Sequence, residues 1–587
     1  MNLEKHHLFQ GISLDRKVFL GVLTLWTFGN LAFVHMTHFG LAGDEAQYWD
    51  WSRHLDWGYY SKPPMIAWII ALLTRIGGTS EAAIRSGAVI FASGTLVFIY
   101  ALARRITQRE STALMAACMS LAMTSSWAGS VMLTIDAPMA FFWAFAMYAF
   151  HRAMAGDRGW WLITGVALGL GMLTKYTMLV LVVSFLAYLI LFDRGWLRRP
   201  GPYLMLGIML LAMIPVIYWN IVHDWVSVRH TASIGTRGEK SFGRTVAHIL
   251  EFAGGQLGIV SPILFGFFAW AMAVMAKKAA VFRPWASGIN AAKSYEMKGG
   301  DCAHGYENEP AQEREREMTT GAGLPVSGFG LRSSALQKNA AYLFLCAMVL
   351  FGFYTLVAFT RKTEPNWPIC AYLPAVIAFA WAWHDRPRTS RMRKLLYAGV
   401  ILGCLVGVFS RTTEWLYRAS ARFAPGNARI ENVYLGPLHF RAKKEPTNRL
   451  FGGRELGRAL SKHIRENDPD TPFICSENYQ FVAWAAFYTE GRPRTYCVNL
   501  GDRRYNQYDL WGGWETLVGR DALFIIGDPP EVARPRIEKA LALGAFEKLD
   551  GFEVVNVYRQ QTLIKVFTIA RLKNYTGYRW RPDTEQY

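Results

Sequence analysis

Residues 44–64 read DEAQYWDWSRHLDWGYYSKPP. Two adjacent acids, Asp44 and Glu45, follow directly on a first apolar run, and Lys62-Pro63-Pro64 closes the same short segment. Carboxylates and a lysine beside a membrane are costly unless they face water, one another or a charged ligand. A carboxylate takes a proton from a hydroxyl and a lysine holds a phosphate, a pairing suited to chemistry on a lipid-linked phosphate at the bilayer surface. The aromatic residues between them (Tyr48, Trp49, Trp51, Trp57, Tyr59, Tyr60) suit either a binding surface or a membrane interface.

The rest of the chain places that segment in a membrane protein. Of 587 residues, 52% are hydrophobic and only 18% charged, against about 25% charged in soluble domains. Many apolar runs approach the ~20 residues that cross a bilayer core. Eleven spans are expected, at 18–38, 82–103, 111–131, 137–154, 160–175, 177–192, 203–219, 251–276, 340–359, 367–383 and 395–411. The first lacks a small-residue cleavage site after it, so it reads as an uncleaved helix. Residues 65–77 are too short to span and read as a helix lying on the outer surface.

Basic turns occur on alternate sides: Arg104-Arg105, Arg152 with Arg158, Arg194 with Arg198-Arg199, Lys277-Lys278, and Arg386 to Lys394. The positive-inside rule makes these cytoplasmic, with the N-terminus inside and the C-terminus outside. The 44–64 segment, Asp136, Lys175 and RKTEPNWP at 361–368 then share the outer face. That common face argues for one site. Residues 220–250 fit less well, because an outer loop there carries Arg229, Arg237, Lys240 and Arg244; they serve an anionic ligand or the span count is wrong.

Residues 284–338, with the charge run EREREM, read as a disordered cytoplasmic loop. Residues 412–587 have no span. Strand-like PFICS, DALFIIG and FEVVNVY alternate with helical stretches at 451–466 and 531–545, which predicts a soluble α/β domain outside the membrane. The net charge of +19 is dispersed and comes without a nucleic-acid motif. It fits anionic lipids or acidic glycolipids, or the ordinary cytoplasmic anchors of membrane helices. Cys475 and Cys497 are the cysteines of the outer domain, where an oxidising compartment permits a disulfide.

Several residues have competing roles. Asp44-Glu45 either performs acid–base work or decorates a helix start. Lys62 either neutralises a phosphate or extends its tip to water. Asp136, in VMLTIDAPMAFFW, caps a helix or joins the site; Lys175 sits in a turn too short to leave a charge without water or a partner. Glu364, Asn366 and Trp367 contact a substrate or shape a turn, and RRYNQYDLWGGW at 503–514 is dense in sugar-binding side chains.

Four stretches then carry a resemblance: GDEAQYWDWS, SKPPMIAW, TIDAPM and LTKYT. Over roughly residues 18–410 the chain resembles the GT-C class of membrane glycosyltransferases. The similarity is to the bacterial family-39-like branch that includes lipid A aminoarabinose transferases and rhizobial galacturonosyltransferases. It implies a transmembrane catalytic domain over 1–411 and a periplasmic α/β domain over 412–587. It also implies transfer, with inversion, from a polyprenyl-phosphate sugar to an acceptor such as lipid A, lipopolysaccharide core, another glycan or a protein. By the resemblance Asp44 matches the catalytic aspartate of the first outer loop, Asp136 the second-loop acid, and Lys62 and Lys175 the lysines that face the donor phosphate. The residues themselves extend this reading: Asp44 as general base, Glu45 and Asp136 orienting the acceptor or stabilising positive charge on the sugar, Arg229 beside the lysines, and Tyr60, Glu364, Asn366 and Trp367 contacting substrate. The aminoarabinose transferases carry an acid where this chain has Ser61, so no essential metal is expected. A flippase for a lipid-linked sugar, or a glycolipid-binding scaffold, are the alternatives. Neither the sugar nor the oligomeric state is readable.

Overall fold

The computed structural model describes residues 13–236, 242–279, 327–425, 430–466, 472–501 and 503–578. Each of the eleven expected spans falls on a helix. Six are long and apolar enough to cross a membrane: Leu14–Met36, Glu81–Thr107, Pro200–Val222, Pro262–Ala279, Ala335–Ala358 and Ser390–Arg411. Gly159–Met172 and Met178–Phe192 are apolar but shorter.

Two expected spans are broken. The expected 251–276 helix is Phe242–Val260 followed by Pro262–Ala279, because Ser261 takes a positive φ of 87° and Pro262 cannot continue the backbone hydrogen bonds. The expected 111–131 helix is Glu110–Leu121 followed by Thr124–Gly129. The short helix expected over 65–77 is Met65–Gly77, whose 13 residues reach about 20 Å and fall short of the bilayer core. The charge run at 313–318, Arg237 and Lys240 lie outside the described residues. The loop expected to last until 338 ends earlier, since a helix starts at Ser327.

Small residues set the closest helix contacts. A Cβ on Gly165 would fall 2.7 Å from the Met205 carbonyl oxygen, and one on Gly169 would fall 2.6 Å from Ala212 Cβ. The Gly159–Met172 helix therefore lies directly on Pro200–Val222, the usual device for packing helices where lipid supplies no hydrophobic drive. Stacked rings fill the space beside it: Phe150 lies 4.0 Å from Phe185.

Beyond Arg411 the chain changes character. Helix Glu414–Phe423 leads to a hairpin, β1 (Asn432–Leu435) and β2 (Leu438–Arg441). A five-stranded sheet follows, of β3 (Phe473–Ser476), β4 (Thr495–Cys497), β5 (Ala522–Ile526), β6 (Phe546–Arg559) and β7 (Thr562–Tyr575). Its order is β4-β3-β5-β7-β6; β3 pairs in parallel with β4 and β5, and β7 is antiparallel to β5 and β6. The helices Gly453–Glu466, Tyr479–Tyr488 and Pro530–Ala542 complete an α/β unit.

Two joints fix this unit, the first within the segment beyond Arg411 and the second against the helical part. Arg559, 2% exposed, donates to Glu414, Glu445, Thr413, Thr447 and Asn448. That set satisfies a charge that would otherwise be costly to bury. The second joint is helix Tyr479–Tyr488, which packs on helix Gly43–Ser52. Trp484 Nε1 donates to the Leu41 carbonyl at 2.9 Å, and Leu41 N donates to the Tyr488 hydroxyl at 2.7 Å.

Candidate active site

The segment after the first long helix turns at Ala42 into helix Gly43–Ser52. Asp44 and Glu45 are its first acids, placed favourably at a helix N-terminus. They separate at once, because successive residues point about 100° apart around a helix. Glu45 turns inward and is 0% exposed. One of its oxygens accepts from Ala42 N at 2.9 Å and from Arg85 Nη2 at 2.8 Å. The other accepts from Leu133 N at 3.0 Å and from Arg85 Nε at 3.2 Å. This corrects the expectation that Glu45 meets substrate: its lone pairs are engaged and no path leads to it. Asp44 stays half-buried and faces a cavity of about 800 Å³.

Lys62 faces the same cavity. A tight bridge between Tyr59 and Lys62 fixes its backbone, and Pro63-Pro64 leads directly into helix Met65–Gly77. Among the described residues no carboxylate lies within the 4.0 Å of an ion pair to its ammonium. Burial, and then the Lys175 charge, hold its pKa below that of an ordinary lysine, while Asp136 and Asp44 pull the other way. These four residues therefore feel one another electrostatically. Lys62 is a partly desolvated cation without a direct partner, the condition in which an arriving anion is held most strongly.

Asp136 opens helix Asp136–Met154. Its Oδ1 lies 2.9 Å from Lys175 Nζ, and its Oδ2 accepts from Asn366 Nδ2 at 2.5 Å. Three parts of the chain meet there: the second acidic turn, the LTKYT turn and the EPNWP loop. Asn366, expected to touch substrate or shape a turn, is exposed; it gives one amide N–H to Asp136 and does not line the large cavity. Asp136 borders a separate, mostly apolar cleft that also includes Trp26, Leu96, Ile369 and Leu373.

Tyr60, Glu364 and Trp367 line the large cavity. Neither Arg229 nor Lys175 is among its lining residues; Lys175 lies behind it, paired with Asp136 and close enough to act on the Lys62 charge. One residue on from Arg229, His230 does line it, with its ring 5.0 Å from that of Tyr60. Burial, with Lys62 and Arg504 nearby, pushes the His230 pKa down to about 4, so the ring is neutral at physiological pH.

The α/β unit supplies much of the remaining wall. Arg504, Tyr505 and Asn506 come from the segment dense in sugar-binding side chains. Gln507 Oε1 accepts from Tyr60 N at 2.7 Å and ties that segment to the loop. Asn478 and Tyr479 come from the start of helix Tyr479–Tyr488. Sequence reading missed them, because YQFVAWAAFY reads as a buried apolar helix and nothing local pairs it with residue 44. Cys475 and Cys497 are free thiols. Cys475 pairs across with Tyr496, and Ser476 with Cys497, so the two cysteines point to opposite faces of the sheet. Among the described residues no three His, Cys, Asp or Glu side chains group closely enough to hold a metal ion.

The family profile described as dolichyl-phosphate-mannose-protein mannosyltransferase matches residues 61–219. The chain is 34% identical over 232 residues to the lipid A galacturonosyltransferase RgtD of Rhizobium johnstonii, covering 39% of this chain and 48% of that one. It is 30% identical over 169 residues to the undecaprenyl phosphate-alpha-4-amino-4-deoxy-L-arabinose arabinosyl transferase of Erwinia tasmaniensis, covering 27% and 29%. The matches thus span about half or less of these relatives' length. Structurally the chain is similar to ArnT from Cupriavidus metallidurans, solved bound to undecaprenyl phosphate. The TM-score is 0.55 at 15% identity, over 94% of this chain and 97% of that one. The fold is therefore that of the GT-C membrane glycosyltransferases: a multi-pass bundle of the bacterial inner membrane with a C-terminal sheet unit.

Proposed function

We propose that the chain is an inverting glycosyltransferase that moves a sugar from a polyprenyl phosphate to a glycolipid acceptor, lipid A or lipopolysaccharide core, on the periplasmic face. One observation carries this reading. The Asp44 carboxylate and the Lys62 ammonium, which has no ion-pair partner among the described residues, face the same cavity. A base and an anion holder in one chamber are what this displacement requires. The matched relatives act on lipid A and on an undecaprenyl-phosphate sugar by name, which supports the substrate classes.

In this mechanism Asp44 takes the proton of the acceptor hydroxyl. The hydroxyl oxygen attacks the anomeric carbon opposite the phosphate, and the carbon–oxygen bond to the phosphate breaks. Lys62 stabilises the charge that develops on the leaving oxygen, supported by the nearby Lys175. Asp136 acts one step removed, by holding Lys175 and Asn366. Tyr60, Glu364 and Trp367 line the space for sugar and acceptor, where a flat ring suits sugar C–H faces. In this reading the N-terminus is cytoplasmic and the sheet unit periplasmic, which the distribution of basic turns supports.

The test is a deletion strain whose lipid A and core sugars are compared with the parent by mass spectrometry. A missing mass of one sugar, restored by the wild-type gene, is the expected result and identifies the sugar. Unchanged lipid A and core would refute the acceptor assignment.

A further inference from the structure

The transfer reading assigns Asp44 the role of base but does not say what holds it. Its carboxylate sits at the first turn of a helix, half-buried, on the rim of a wide cavity. A carboxylate there has free rotation unless something outside the helix restrains it. Two side chains do, and both come from the α/β unit more than 400 residues later: Tyr479 Oη donates to Asp44 Oδ1 at 3.1 Å, and Gln480 Nε2 donates to the same oxygen at 3.3 Å. Among the described residues the other oxygen, Oδ2, accepts no hydrogen bond.

We propose that Tyr479 and Gln480 are positioning residues for Asp44, so that the site is complete only when the α/β unit is docked against the membrane part. This rests on the transfer reading and assigns to the soluble unit a part in the reaction. With both donors on Oδ1, the carboxylate is held in one orientation and its Oδ2 is left to face the acceptor hydroxyl. A fixed base in place of a rotating one is the ordinary source of orientation in acid–base catalysis.

Three further observations carry the proposal. The first is Gly43. A Cβ there would lie 2.5 Å from Gln480 Cβ and 2.6 Å from its Cγ, so the glycine before Asp44 is what lets Gln480 come close enough. The second is the clasp behind the pair. Tyr488 Oη donates to Glu81 at 2.6 Å while accepting from Leu41 N, and Trp484 donates to the Leu41 carbonyl. These bonds seat the helix by its far end and fix the height of Tyr479 over Asp44. The third is the state of the phenol. Burial, and then the Asp44 charge, push the Tyr479 pKa up, so the hydroxyl remains a donor throughout the physiological range.

The experiment uses the full-length protein in detergent, with a lipid extract of the deletion strain supplying natural donor and acceptor. Initial rates of Tyr479→Phe, Gln480→Leu and Gly43→Ala are measured against extract concentration, beside melting temperature. Losing one hydrogen bond to the carboxylate should lower kcat about tenfold for Tyr479→Phe with apparent KM within about twofold. Gly43→Ala should give the same signature. Wild-type kcat in Tyr479→Phe would overturn the proposal. So would a rate loss matched by a lower melting temperature or carried by apparent KM in place of kcat, which marks a structural contact only. Asp44→Asn separates the two levels: wild-type turnover there refutes the transfer reading itself, whereas a dead Asp44→Asn beside a normal Tyr479→Phe refutes only the positioning role.

Discussion

Lys175 Nζ and Asp136 Oδ1 lie 2.9 Å apart across 39 residues of chain. Asp136 offers its other oxygen to Asn366, so the acid is committed on both sides and the lysine is already neutralised. Lys62 has no such partner among the described residues. Under the proposed transfer, a phosphate entering the cavity would meet Lys62 first, and Lys175 would join only as the phosphate competes with Asp136.

Removing that competitor has a defined consequence. Asp136→Asn leaves the Lys175 charge available, so undecaprenyl phosphate should bind roughly five- to tenfold more tightly. Turnover should fall, as the product phosphate leaves more slowly. Displacement of labelled undecaprenyl phosphate measures the affinity. An unchanged value would place the Lys175–Asp136 pair away from the phosphate.

The depressed pKa of Lys62 sets a pH dependence. Its charge is present below that pKa and lost as pH rises through it, at a lower pH than for an ordinary lysine. Donor affinity should therefore weaken on the alkaline side, and Lys62→Arg, whose guanidinium keeps its proton, should abolish that limb. Stability runs the opposite way. The burial penalty on the ammonium is in force below the folded pKa and is relieved as pH rises towards the unfolded value, so Lys62→Met should raise the melting temperature at neutral pH. The donor KM against pH checks the first statement. A KM that is flat to pH 10 in wild type would contradict it.

Glu45 and Asp44 should respond differently to the same loss of charge. Glu45 is paired with Arg85 in a buried bridge at 2.8 Å. Glu45→Gln leaves the guanidinium uncompensated and should destabilise by about 3–5 kcal/mol. The kcat of the folded fraction should stay within about threefold of wild type, since no catalytic contact is removed. Melting temperature and active-fraction kcat, measured together, decide this. A kcat fallen a hundredfold at normal stability would return Glu45 to the reaction.

The sequence carried the helices well and the contacts poorly. The expected spans fall on helices because their signal is local, apolar length between basic turns. The breaks at Ser261 and at 122–123 passed unseen because apolar composition runs straight through them. Asp44 and Lys62 were readable as charges beside a membrane that need a purpose. Glu45 was misread because its partner, Arg85, sits 40 residues on inside a helix that reads as a span. Arg229 and His230 are neighbours in sequence, and only helix phase decides which meets the cavity. Tyr479 lies 435 residues from Asp44, and no local pattern announces that contact.

The most direct test of the account is single-turnover sugar transfer by purified full-length protein, wild type beside Asp44→Asn, with the donor and acceptor lipids of the deletion strain. The account predicts transfer slowed at least a hundredfold in Asp44→Asn, with unchanged undecaprenyl phosphate affinity and melting temperature. Transfer at the wild-type rate by Asp44→Asn would contradict it, and with it the assignment of this cavity as the place where the sugar changes hands.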